Sequence, residues 1–143
     1  MSDYRFPYKD AAFLFKELIA FDQLCLDLGF DEVNGELADA IVEEAGRFGS
    51  EVLAPLNTMG DAQGAILEDI GVVESPGYVD AYRQFADNGW ASLAGAEEYG
   101  GQGMPRVLNA AVAEIWDSAC VAFSLCGLLT TGAVEAIDTL SSD

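Results

Sequence analysis

The sequence predicts an all-α fold, a bundle of about five helices. Three observations predict it. Apolar residues recur at alternating four- and three-residue intervals through most of the chain. The links between these segments are short and carry glycine, proline or asparagine. The length of 143 residues, 51% of them hydrophobic, suits one domain, and a domain of this size buries roughly 70% of the surface its unfolded chain exposes.

The first periodic segment places Leu14, Leu18, Phe21, Cys25 and Leu28 on one stripe, with Phe13 and Phe15 on other sides and Gly29 as the stop. We assign it to an extension helix within residues 1–33, ahead of a main α-domain over residues 34–143. The second segment starts at Asn34, a good N-cap. Its stripe is Leu37, Ile41, Ala45, Phe48 and Val52, and Pro55 marks its expected end. Residues 57–75 lose the helical period, and Ile66-Leu67 with Val72-Val73 fit a small hairpin.

Ser75-Pro76 then opens a third helix, with Ser75 as cap, Tyr78, Tyr82 and Phe85 as stripe and Asn88-Gly89 as end. A fourth starts at Pro105 and repeats Leu108, Val112, Ile115, Ala119 and Ala122, with Trp116 beside them. A fifth, from about Phe123 to Leu140, carries Leu125, Leu129, Ala133, Ala136 and Leu140. These last two are the most apolar, so they belong at the centre of the bundle or beneath another domain. Residues 118–134 carry no charge. They fall short of a clear spanning length, are broken by Gly127 and Gly132 and have acidic flanks, which favours a buried core helix over a membrane span. The end at Ser141-Ser142-Asp143 brings no closing element and reads as a cut.

Composition excludes several functions. Six Lys+Arg face 25 Asp+Glu, for a net charge of −19, and no basic residue follows Arg106. Phosphate backbones need clustered cations, so nucleic acid is excluded as a partner. Histidine is absent, which removes imidazole bases and the usual zinc sites. Cys25, Cys120 and Cys126 fit no metal spacing and read as free core thiols of a reducing compartment, and no leader is visible, so a cytoplasmic location is expected.

Four groups merit weighing as sites. In Glu97-Glu98-Tyr99-Gly100-Gly101-Gln102-Gly103 no lysine follows the glycines and two carboxylates precede them, so a tight turn is favoured over a phosphate cradle. Asp117-Ser118-Ala119 is similar to the modified serine motif of acyl carrier proteins, but Ser118 lies well inside a helical pattern. Phe123, Ser124, Gly127 and Leu128 combine a ring, a hydroxyl and an absent side chain, which suits either the floor of an apolar pocket or close helix packing. Trp90 and Trp116 read as core anchors.

The order of pieces resembles the N-terminal domain of acyl-CoA dehydrogenases, closest to the long bacterial branch with an N-terminal helical extension. The carrying residues are Tyr8-Lys9-Asp10 with Phe13-Leu14; Ala54-Pro55-Leu56-Asn57 with Gly60-Asp61; Pro76-Gly77-Tyr78 with Ala81-Tyr82; Asn88-Gly89-Trp90; and Glu98-Tyr99-Gly100-Gly101-Gln102-Gly103 with Pro105. The resemblance covers essentially the whole chain.

It implies that the complete protein adds a middle β-domain and a C-terminal helical bundle, both absent here. It also implies that the complete protein is a homo-oligomer that uses FAD to oxidise an acyl-CoA thioester to the 2,3-enoyl-CoA, with a glutamate as base. In that family the base lies in the C-terminal bundle, and the flavin is held by the β-domain and a neighbouring subunit. No residue of this chain is therefore expected to be catalytic or to hold FAD, and the isolated piece is expected to be inactive. The resemblance makes Phe123, Ser124, Gly127 and Leu128 substrate-binding residues of the acyl cavity, with Phe123 narrowing it for a short or compact acyl group. The rival expectation is a stand-alone helical module that assembles with a flavin-binding partner subunit.

Overall fold

A computed structural model of the chain describes residues 4–140. It is helical apart from one small hairpin, in agreement with the predicted class. The helices are α1 (Tyr8–Phe13), α2 (Phe21–Asp27), α3 (Gly35–Phe48), α4 (Ala54–Gln63), α5 (Tyr78–Asp87) and α6 (Arg106–Leu140). Single π-helical turns, Leu14–Leu18 and Gly49–Leu53, follow α1 and α3. Strands β1 (Ile66–Glu68) and β2 (Gly71–Val73) pair antiparallel, Ile66 opposite Val73, so the predicted hairpin forms.

The extension differs from the expected single helix. The run breaks at Ala20, which is left-handed at φ 50° with no glycine to signal it. This turns the apolar stripe off its face: Phe15, Phe21 and Cys25 are buried, whereas Leu14, Leu18 and Leu28 are exposed. The extension is tied down from its start. The Tyr4 hydroxyl lies 2.7 Å from Ser118 Oγ on α6. Tyr8 donates to the Glu43 carbonyl at 2.9 Å, across a surface where Gly46 leaves room for its ring.

Asn34 caps α3 as predicted, its Oδ1 accepting from the Leu37 amide at 3.0 Å. Asp22 Oδ1 accepts from the Gly35 amide at 2.6 Å, which joins α2 to α3. The buried face of α3 lies beside the predicted stripe: Ala38, Val42, Ala45, Gly46 and Phe48 are inside, while Leu37 is exposed. The reason is close approach. Small residues let α6 come near, and at Gly49 an added Cβ would sit 2.7 Å from Ile115 Cγ2. Pro55 does not end the helical run. It lies in the first turn of α4, where the missing N–H costs nothing. Ser75 is not the cap of α5; Gly77 holds that position, and Ser75 Oγ donates to the Gly64 carbonyl at 2.7 Å.

The core centres on the first half of α6. Leu108, Val112, Ile115, Trp116 and Ala119 are buried against α3, the second π turn and α4. Trp116 meets Phe48, Phe85 and Trp90 edge-on at centroid distances of 5.6, 5.7 and 5.3 Å, a geometry aromatic quadrupoles favour. The predicted break between the last two helices falls at Cys120, whose φ of −159° and ψ of 88° are extended. Arg106 and Glu135 nevertheless form an ion pair at 3.0 Å. A straight helix would hold them about 43 Å apart at 1.5 Å per residue, so α6 doubles back into two antiparallel arms.

By length and composition alone α6 could cross a membrane, but the break means it is no straight rod. The expectation that residues 118–134 form a buried core helix is corrected: of these only Ala119, Cys120 and Phe123 are buried in this chain. Only Phe123 of the second arm is buried, against Tyr78 and Phe85 of α5; Val121, Leu125, Leu128, Leu129, Ile137 and Leu140 are all exposed. The predicted end at Ser141-Ser142-Asp143 lies outside the described residues.

Candidate functional site

Helical periodicity puts the four predicted pocket residues on one face of the second arm: Phe123 with Gly127 and Ser124 with Leu128 are each four apart. They are graded in depth. Phe123 is 5% exposed, with its ring edge-on to Phe85 at 5.5 Å and tilted against Tyr78 at 6.5 Å. Ser124 and Gly127 are partly covered, and Leu128 is 62% exposed. Ser124 Oγ donates back to the Val121 carbonyl at 2.9 Å, and this local bond satisfies a carbonyl next to the kink. A Cβ at Gly127 would meet nothing within 4 Å. The four thus run from the buried side of the second arm to its exposed side, and neither of the two best-defined clefts includes them. Two open clefts lie elsewhere: one of about 530 Å³ lined by Arg5, Tyr8, Glu43 and Arg47, and one of about 280 Å³ lined by Ile41, Trp90 and Gln102.

Sequence reasoning missed the anchorage of this surface. Tyr78, at the start of α5, points its hydroxyl at the kink. Its Oη lies 3.5 Å from Cys120 Sγ and donates to the Leu56 carbonyl at 3.5 Å. Burial, and then the Cys120 thiol beside it, push the Tyr78 phenol up to about 12. Gly60 provides the space, since a Cβ there would collide with the Tyr78 hydroxyl. Tyr78 was visible in the sequence only as one more stripe residue, and Cys120 only as a core thiol. Cys25 and Cys120 are indeed buried; Cys126 is exposed on the second arm, contrary to its reading as a core residue.

The glycine-rich segment is a turn. Gly100, Gly101, Gln102, Gly103 and Met104 all donate their amides to carbonyls of residues 92–97. Gly100 and Gly103 have φ of 81° and 62°, and Gly101 crosses the Gly95 backbone so closely that a Cβ would clash. A pyrophosphate would find those N–H groups already used, so this loop does not fit the phosphates of a flavin nucleotide. Ser118 lies inside the first arm and donates to the Glu114 carbonyl at 2.6 Å, which is not the helix-opening position of a carrier serine. Trp90 and Trp116 are core anchors as predicted, although the buried Trp90 Nε1 has no hydrogen-bond partner among the described residues.

The fold is that of a helical domain whose second α6 arm carries a run of exposed apolar side chains. Residues 35–143 match the N-terminal domain of acyl-CoA dehydrogenases, and the chain belongs to that family. It is 44% identical over 140 residues to a 3-methylmercaptopropionyl-CoA dehydrogenase of Ruegeria pomeroyi, a match covering 98% of this chain and 24% of that protein. The chain therefore spans about a quarter of the relative's length.

Proposed function

We propose that this chain is the N-terminal part of an FAD-dependent acyl-CoA dehydrogenase, and that it supplies one wall of the acyl pocket. The observation that carries this is the uncovered apolar face of the second arm, with Phe123 as floor, Ser124 and Gly127 above it and Leu128 at the rim. Such a face, open on one side and shaped by a gap at glycine, suits an acyl chain lying between helices. On this reading the flavin and the base that takes the α-proton belong to parts of the enzyme outside residues 1–143, as the family resemblance implies, and the glycine-rich loop, its amides already bonded to backbone carbonyls, is no phosphate cradle. The isolated chain is accordingly inactive. The intact enzyme works as a cytoplasmic homo-oligomer on an acyl-CoA whose acyl group is compact. A 3-methylmercaptopropionyl group, named for the relative, is of that size.

Gly127→Leu in the intact enzyme tests the wall. A Cβ at Gly127 meets nothing within 4 Å among the described residues, so the new side chain points into the proposed pocket and KM for a longer acyl-CoA should rise more than KM for butyryl-CoA. Equal effects on both would overturn the wall assignment. Faster turnover of palmitoyl-CoA than of butyryl-CoA by the wild-type enzyme would overturn the compact substrate.

A further inference from the structure

We infer that Tyr78 is a positioning residue that sets the acyl wall by holding the kink of α6; this rests on the wall reading above. The wall residues begin three positions after Cys120, so the direction in which the second arm leaves the kink decides where Phe123, Ser124, Gly127 and Leu128 stand. One extended residue within a helical run is a soft joint, because the regular helical backbone is interrupted there. Three contacts stiffen it. The Tyr78 hydroxyl meets Cys120 Sγ from one side while it holds the Leu56 carbonyl of α4. The Tyr78 ring also lies against Phe123, the first wall residue. Phe85, on the same helix as Tyr78, closes on the Phe123 ring from a second direction.

The joint is thereby referred to α4 and α5, which are fixed in the bundle, and not only to the exposed arm that it orients. Gly60 is part of the device, since any side chain there would push the hydroxyl away from the thiol. Cys120 is 1% exposed, so its thiol is available to Tyr78 and not to solvent. The role is one of placement: neither Tyr78 nor Cys120 exchanges protons or electrons with the substrate.

The test uses the intact enzyme with butyryl-CoA and octanoyl-CoA. Tyr78→Phe keeps the ring and removes the hydroxyl. We expect the ratio of the two kcat/KM values to change by roughly twofold to tenfold, the scale of one neutral hydrogen bond. The change should come through KM, with kcat nearly constant. Cys120→Ser, which keeps a hydroxyl partner for Tyr78, should preserve the wild-type ratio, whereas Cys120→Ala and Gly60→Ala should shift it as Tyr78→Phe does. Thermal melting separates folding failure from the effect sought, and Tyr78→Phe with Cys120→Ser supplies the comparison if Gly60→Ala does not fold. An unchanged ratio in Tyr78→Phe, alongside a changed ratio in Gly127→Leu, would overturn the positioning role and leave the wall intact. An unchanged ratio in both would overturn the wall, and the positioning role with it.

Discussion

Arg106 and Glu135 meet at 3.0 Å across the two arms of α6, from near its opposite ends. The pair reports the doubling-back of the helix but does little to enforce it. The side chains are 74% and 48% exposed, and exposed pairs of this kind contribute roughly 0–1 kcal/mol. Arg106→Ala should therefore lower stability by no more than about that amount, with the difference vanishing at high salt. A larger loss in urea titrations would mean that the pair closes the hairpin.

Gly49→Ala should destabilise the chain although alanine is the better helix former. Its methyl would sit 2.7 Å from Ile115 Cγ2, and overpacking of that kind costs about 1–3 kcal/mol. Ile115→Ala removes the opposing methyl at a cost of about 2–5 kcal/mol, so the double variant should lose less than the sum. Strict additivity in a double-mutant cycle would show that the two sites do not touch.

Removing the α3 cap gives a smaller effect. Asn34→Ala should cost about 0.5–2 kcal/mol, and Asn34→Asp should retain most of the stability. Equal losses in both would show that the Leu37 amide bond is not what matters at this position.

Alkaline pH should loosen the kink. The Tyr78 phenol is held up at about 12, from an ordinary value of 10.0, chiefly by burial and then by Cys120. A raised folded-state pKa means that the unfolded chain loses this proton first. The stabilisation is complete below pH 10 and is lost as pH rises towards 12. Burial also raises Tyr4 and Tyr8, so part of the alkaline loss belongs to the extension. Unfolding followed between these limits should show a shallower pH dependence in Tyr78→Phe. An identical dependence in variant and parent would exclude Tyr78 as a source.

The uncovered arm should make the isolated chain self-associate, since contiguous apolar patches of this kind seek cover. Leu129, 83% exposed, is the side chain to change. Leu129→Glu should reduce association in sedimentation experiments and leave the melting temperature nearly unaltered. Monomeric behaviour of the parent at high concentration would contradict this.

Much of the frame was legible in residue order. The repeat Leu108, Val112, Ile115, Ala119 found the central arm because a fully buried face leaves an unambiguous period. Asn34 and the hairpin were legible because caps and turns depend on local chemistry. The buried face of α3 was not: it is lined by the small residues Ala38, Ala45 and Gly46, with Gly46 making room for Tyr8 and Gly49, just past the helix, letting Ile115 of α6 approach, whereas period counting weights the bulky Leu37. The break at Ala20 was hidden because alanine gives no warning of a left-handed residue. Phe123, Ser124, Gly127 and Leu128 were picked out by their mix of ring, hydroxyl and absent side chain and by the family resemblance. The anchorage of the kink before them was not legible, since Tyr78 and Cys120 are 42 positions apart.

The crossing of Gly101 over the Gly95 backbone has a consequence for heredity. No side chain fits at Gly101, so every missense change in that codon places an atom where the main chain already lies, and purifying selection should act on the first mutational step. Gly127 and Gly132 have open space around them. Among the described residues nothing stands in the way of a first side-chain atom at either codon, so constraint on them would report what settles against the arm.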